Sequence, residues 1–260
     1  MLHKPQLAEE FRETRDFAYE SKFLLNSEQA DLICQWARHH MQADPHGGGE
    51  HGDAYRVSSV YYETLQFAVY QRLGSYGRSK YRVRRYGEHD RVFVERKTKT
   101  DGQVGKRRSR VPIEELAHLA TAVQREWPGY WFQRRLQLRH LVPVCRIDYR
   151  RVARVTDTEN GACRLTLDQD VHATACDQAA FLNETNFLNK TNGPLHAGSE
   201  LLRDKPYILE LKYRYALPRL FRQLLVEFAP LPQRVSKYRL AVETLQLTTA
   251  FTATAQCATS

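Results

Sequence analysis

A two-residue alternation of apolar and charged positions is the strongest signal in this chain. Over residues 207–214 it puts Ile208, Glu210, Lys212 and Arg214 on one face of a strand and Tyr207, Leu209, Leu211 and Tyr213 on the other. A half-buried antiparallel strand ordinarily turns such a charged face to water. Here the charged face recurs along the chain. Glu20 and Lys22 share a face in 17–25, and Arg82 and Arg84 share one with Tyr86 in 81–86. Phe93, Glu95, Lys97 and Lys99 align in 91–99, as do Val104, Lys106, Arg108 and Arg110 in 103–111. Turn-forming residues at 87–90 and 100–102 join the last three into an antiparallel meander. Residues 142–155, with Ile147, Tyr149, Arg151 and Ala153 on one side, pair as a hairpin with 161–168, which aligns Arg164, Thr166 and Asp168. Residues 55–62 are also β-rich.

Helical patterns punctuate these strands. Ser27 reads as an N-cap, followed by a stripe of Ala30, Ile33, Cys34, Trp36 and Ala37 to about Met41. Residues 63–75 read as a helix with Leu65, Ala68, Val69 and Leu73 on one side. Pro112 opens a helix to about Glu126, a break at 127–129 leads to a second near Leu138, and 218–228 is amphipathic. Residues 44–53 form a glycine-rich loop, 171–204 carry no clear pattern, and the Thr/Ala-rich end from 247 reads as loose. One domain over 1–246 with a tail at 247–260 is expected.

Seven or eight strands with a charged face, beside helices whose apolar stripes need a surface, invert the usual arrangement. The apolar strand faces pack outward under helices and the charged faces converge inside. The predicted fold is therefore α+β, a closed antiparallel β-barrel with helices packed outside. Unpaired charge is costly to bury, so such a lumen is wet and holds anionic oxygens. Its carboxylates Glu20, Glu95 and Glu210 suit a divalent cation, a hard ion shared with phosphate oxygens. Phosphate chains fit this interior, whereas a nucleic-acid duplex is too wide for a small barrel.

Charge agrees: 39 Lys+Arg against 30 Asp+Glu give +9, which favours an anionic partner. Arg85, Arg107 and Arg150 fall on the outward period and are expected at the surface or against helices. His39, His40, His46 and His51 lack metal-ligand spacing, and the loop glycines lack the Gly-Lys-Ser/Thr of a phosphate-binding loop. The Tyr61–Tyr62 pair reads as packing. Five isolated cysteines point to free thiols in a reducing compartment. With no signal-peptide or membrane-spanning run, the expectation is a cytoplasmic protein without membrane insertion. The sequons at Asn183 and Asn189 are then coincidental.

In order along the chain, Glu20-Ser21-Lys22-Phe23, 58–64 (SSVYYET), 80–87 (KYRVRRYG), Glu95-Arg96-Lys97, Lys106-Arg107-Arg108, 149–153 (YRRVA), 164–168 (RLTLD), Leu209-Glu210-Leu211-Lys212 and Ser236-Lys237-Tyr238 resemble the motifs of the VTC domain. That is the catalytic domain of a polyphosphate polymerase and a member of the triphosphate tunnel metalloenzymes (CYTH-like). The resemblance runs from about residue 15 to 240. It implies a tunnel that binds ATP or another triphosphate and inorganic polyphosphate, with Mn²⁺ or Mg²⁺, and transfers the ATP γ-phosphate to a growing chain. By position it implies Lys22, Arg82, Arg84, Lys97, Arg151, Arg164 and Lys212 as catalytic cations. Lys106, Tyr149, Arg234, Ser236 and Lys237 are implied as substrate contacts, and Glu210 as the metal carboxylate, with Glu20 and Glu95 as further candidates. The 260 residues carry neither the inositol-phosphate-sensing domain nor the membrane helices of the fungal assembly, which implies a free-standing version. Two alternatives stand beside the polymerase. One is a hydrolase of the same fold, cleaving tripolyphosphate or a nucleoside triphosphate. The other is a non-catalytic binder of polyphosphate or single-stranded nucleic acid.

Overall fold

The structure is a computed structural model that describes residues 12–13, 19–100, 103–176, 198–204 and 206–249. Among the described residues eleven strands form one sheet. They are β1 (Arg12–Glu13), β2 (Tyr19–Leu25), β3 (Gln42–Ala43), β4 (Ala54–Glu63), β5 (Ser79–Tyr86), β6 (Arg91–Thr100), β7 (Gln103–Pro112), β8 (Val142–Thr158), β9 (Gly161–Ala175), β10 (Ser199–Glu200) and β11 (Tyr207–Tyr213). The helices are α1 (Ser27–His40), α2 (Ala68–Gln71), α3 (Tyr130–Leu138), α4 (Arg219–Phe228) and α5 (Lys237–Thr244).

The strands lie in the order β1-β7-β6-β5-β4-β8-β9-β11-β2, with β10 on β9 and β3 on β8. Every pairing is antiparallel. The sheet curls far enough that Lys97 on β6 meets Glu20 on β2 at 2.6 Å. It does not close as the sequence led us to expect, because among the described residues no ladder joins β2 to β7. The N-terminal segment is divided between the two edges: β1 pairs with β7, while β2 pairs along its whole length with β11. Residues 232–233 also bond to β2, through Gln233 N–H to the Lys22 carbonyl and a Phe23–Pro232 bridge.

The outward apolar faces behave as the alternation predicts. Phe23, Leu25, Leu165, Leu167, Leu209 and Leu211 pack under α1 and α4 against Ile33, Trp36, Phe221 and Leu224. Each such burial contributes on the order of 1.5–3 kcal/mol. A larger core joins β4, β5, β6 and β8 to α3 and α5 through Val60, Val83, Val94, Phe132 and Tyr238.

Several local expectations are corrected. Asn26, not Ser27, caps α1, its side chain accepting from Gln29 N–H. The helix expected over 63–75 shrinks to α2 and a short 3-10 turn, Gly74–Arg78, with Leu65 and Leu73 half exposed. The cause is Glu63, a fully buried carboxylate that takes the backbone N–H groups of Thr64, Val69 and Tyr70 and the Tyr238 hydroxyl. Phe67 and Arg72, both at positive φ, then end the helix on either side. Pro112 closes β7 instead of opening an α-helix, and Ile113–Ala120 is a 3-10 helix. Strand β9 runs on to Ala175, into the stretch that the sequence left unassigned, and 177–197 lie outside the described residues. Leu247 packs into the larger core, and 250–260 also lie outside them.

Candidate functional site: a cationic bore

Strand parity delivers one set of side chains to the concave side of the sheet. Strand β5 contributes Lys80, Arg82 and Arg84. Opposite them in the ladder, β6 places Lys97 against Lys80, Glu95 against Arg82 and Phe93 against Arg84. Strand β7 adds Lys106 beside Lys97 and Arg108 beside Glu95. On the other wall Glu210 pairs with Lys22 and Thr166, and Lys212 with Glu20 and Arg164. A bulge in which Asp170 takes a positive φ interrupts the β8–β9 ladder opposite Tyr149. Tyr149 and Arg151 enter the bore there, and Arg151 meets Asp168.

The polar contacts form a network across the lumen. Arg82 sends Nε and Nη2 to one Glu95 oxygen, both at 2.6 Å, and Nη1 to the Tyr61 hydroxyl at 3.1 Å. Arg151 forks onto both Asp168 oxygens at 2.6 and 2.8 Å, and Lys237 from α5 reaches the same carboxylate at 2.5 Å. Lys212 lies 3.3 Å from Glu210 and 3.6 Å from Glu20. Lys22 donates to the Val235 carbonyl. Arg84, buried, donates to the Ser59 hydroxyl at 2.9 Å. Among the described residues ten cations (Lys22, Lys80, Arg82, Arg84, Lys97, Lys106, Arg108, Arg151, Lys212, Lys237) thus share the bore with four carboxylates, Glu20, Glu95, Asp168 and Glu210.

The titration of these groups is set by burial and by their charged neighbours. Burial pushes Lys80 down to about 8, with Lys22 and Lys97 adding to it against the opposing pull of Tyr61. Burial likewise takes Lys97 to about 8 despite Glu20 and Glu210. The carboxylates move the other way. Burial opposes the charge of Glu210, yet Lys212, Lys22 and Lys97 hold it well below the usual carboxylate range. Burial also opposes the charge of Glu95, but Arg82, Arg84 and Lys106 draw it from 4.5 to about 2. A depressed carboxylate stabilises the fold above its unfolded pKa and ceases to do so as pH falls through its folded one. Glu95 should therefore supply about 3 kcal/mol that is present at pH 5 and lost progressively below 4.5 toward 2. Urea unfolding at stepwise lower pH checks this: Glu95→Gln should flatten the loss.

Most residues singled out from the sequence meet here, two lie apart, and Ser236 touches the bore through Lys80. Arg164 stands toward one rim, on the Tyr55 hydroxyl at 2.6 Å and Asp44 at 2.9 Å. Arg234 is exposed on the segment before α5. Ser236 spends its hydroxyl capping α5, accepting from Arg239 N–H, and accepts Lys80 Nζ at 2.7 Å. The Tyr149 ring lies under Lys237 at 4.6 Å, Arg151 at 5.3 Å and Arg84 at 5.9 Å. Two outward arginines fall as expected, Arg107 over Trp131 of α3 and Arg150 exposed, whereas Arg85 is buried and donates to the Glu88 and His89 carbonyls of the turn after β5.

Sequence reasoning missed three participants. Lys80 lies two residues before Arg82, so its parity was the available signal. Asp168 was aligned with Arg164 but given no role. Tyr61 does pack, its ring stacked at 5.3 Å on Tyr238, yet its hydroxyl faces the cations. Burial would raise its pKa, but Arg82 and Arg84 bring it down to about 8.

A divalent cation fits this lining if the substrate completes its shell. Among the described residues no group of three or more His, Cys, Asp or Glu could hold an ion alone. Glu210 Oε1 is buried with no hydrogen-bond partner, its one ion-pair contact being Lys212 Nζ at 3.3 Å. One or two carboxylates completed by substrate phosphates is the usual setting for Mg²⁺. Glu20 is engaged by Lys97 and Lys212, and one oxygen of Glu95 by Arg82, while the other, Oε1, is buried without a hydrogen-bond partner.

A curled antiparallel sheet with this interior has the triphosphate tunnel metalloenzyme (CYTH-like) fold, and solved structures bear that out. A Bacillus halodurans protein assigned to the adenylate cyclases superposes with a TM-score of 0.52 at 16% identity, over 86% of this chain and 97% of its own. A Hippeastrum protein assigned to the adenylyl cyclases, for which a dominant triphosphatase activity is described, gives 0.50 at 11% identity, over 89% and 96%. The chain belongs to the VTC domain family, whose sequence model matches residues 17–246. No curated protein sequence matched. Family and fold support an enzyme acting on triphosphate or polyphosphate, with a divalent metal. Among the described residues no helix is long and apolar enough to cross a membrane.

Proposed function

We propose that this chain is a metal-dependent polyphosphate polymerase that transfers the γ-phosphate of ATP to a growing inorganic chain inside the bore. The observation that carries the reading is the excess of cations, most of them half-buried, over carboxylates on the concave face, which a ligand rich in anionic oxygens would neutralise. Phosphoryl transfer asks a protein mainly for positioning and charge neutralisation. Arg84 would fix phosphate oxygens, Arg82 and Arg151, held by Glu95 and Asp168, would add charge beside it, and Lys22, Lys80, Lys97, Lys106, Lys212 and Lys237 would neutralise the chain. Glu210, with Glu20 or Glu95 in reach of the lumen, would hold Mn²⁺ or Mg²⁺. A bound cation supplies charge neutralisation at the transferring group.

Incubation with ATP and Mn²⁺ followed by gel analysis is the direct test. Long phosphate polymer with ADP supports the reading, and free phosphate alone replaces it with hydrolysis, the activity described for the Hippeastrum neighbour. Absence of both products with tight polyphosphate binding would leave a binder. Arg84 offers a sharper check, since among the described residues it has no carboxylate within ion-pair distance. Arg84→Met should weaken tripolyphosphate binding at least about tenfold by calorimetry, with the unfolding midpoint unchanged or raised. A lowered midpoint would make Arg84 structural instead.

A further inference from the structure

Along β5 the inward positions change character: Lys80, Arg82 and Arg84 are followed by Tyr86. The same change occurs beside it, where Phe93 precedes Glu95 on β6 and Tyr55 stands at the matching end of β4. The three rings form a chain of edge contacts, Tyr55 to Tyr86 at 5.8 Å and Tyr86 to Phe93 at 5.5 Å. Guanidinium groups border them, Arg108 over Phe93 at 4.5 Å and Arg84 over Tyr86 at 5.8 Å, while Arg164 holds the Tyr55 hydroxyl. All three rings are partly exposed. The opposite end differs. There Tyr61 is almost fully buried with its face stacked on Tyr238, and Lys80 and Ser236 line the approach to α5.

Partly wet aromatic rings next to arginines form a platform for a flat heterocycle, because every base offers a π face and guanidinium groups add to the stack. Continuity with Arg84 and Arg82 fixes what else such a ligand carries. We propose that the Tyr55–Tyr86–Phe93 end of the bore is a nucleoside subsite, which seats the base of a nucleoside triphosphate whose phosphates run inward along Arg84, Arg82 and Lys80. This rests on the phosphate-binding reading of the bore and adds a direction to it. The nucleotide occupies the aromatic end, and the inorganic chain lies toward α5.

Calorimetry on the wild type and on Phe93→Leu, with ATP and with inorganic tripolyphosphate, tests it. The variant should lose about tenfold in ATP affinity and keep its tripolyphosphate affinity within about twofold. Equal losses for both ligands, or no loss for either, overturn the subsite while leaving the bore intact. Failure of the wild type to bind tripolyphosphate removes the phosphate reading and this inference with it. Photolabelling of the wild type with an azido-adenine analogue of ATP, which needs no variant, should mark peptides of β4, β5 or β6 around these rings. Labelling confined to α5 and the segment before it overturns the proposal.

Discussion

Glu210→Gln will lower turnover by at least about a hundredfold, the scale seen when one preorganised electrostatic group is removed from a reaction centre. The change is nearly isosteric, and Leu209 and Leu211 on either side keep β11 anchored under α1 and α4. What disappears is the charge that Lys212, Lys22 and Lys97 face. In the absence of metal those three lysines will then hold tripolyphosphate as well as before, or more tightly, because an intramolecular competitor for their charge is gone. With Mn²⁺ the wild type should gain affinity and the variant should not. Calorimetry with and without Mn²⁺, beside a turnover assay, separates the effects. Normal turnover, or a collapse of metal-free binding, would remove Glu210 from the role of metal carboxylate.

The inward set was legible because a strand has only two faces and this chain alternates without error at Arg82–Arg84, Glu95–Lys97 and Glu210–Lys212. Parity cannot say which groups along a face touch. Lys97 and Glu20 are 77 positions apart and meet only because the sheet curls. The closed barrel was over-read for a related reason. Alternation within 17–25 shows that the segment is a strand, but not that the chain just before it leaves to pair with β7. Tertiary capture also defeated local pattern at 63–75. Leu65, Ala68, Val69 and Leu73 have helical spacing, but a buried Glu63 takes the N–H groups that would set the helix in place. Asp168 was overlooked because a carboxylate in a basic strand resembles an ordinary surface counter-charge. Its weight comes from α5, a distant segment, delivering Lys237 to it.

That weight makes Asp168→Asn the second large effect. Asp168 is fully buried and serves two cations at once, Arg151 and Lys237. Removing one partner of a buried pair strands the other, at a cost of about 3–5 kcal/mol, and here two are stranded. Chemical denaturation of the variant at neutral pH should show a loss of that order. Above the unfolded Asp pKa of about 3.9 the wild type keeps this contribution in full. It is lost as pH falls toward the depressed folded value set, against burial, by Arg151 and Lys237, so the two proteins should converge in stability in acid. Phosphate oxygens can stand in for the missing carboxylate. Polyphosphate should therefore raise the unfolding midpoint of the variant more than that of the wild type, since a ligand stabilises by its affinity for the folded state. An equal or smaller shift would mean that Arg151 and Lys237 face away from the chain when it binds, and the far wall of the bore would have to be redrawn.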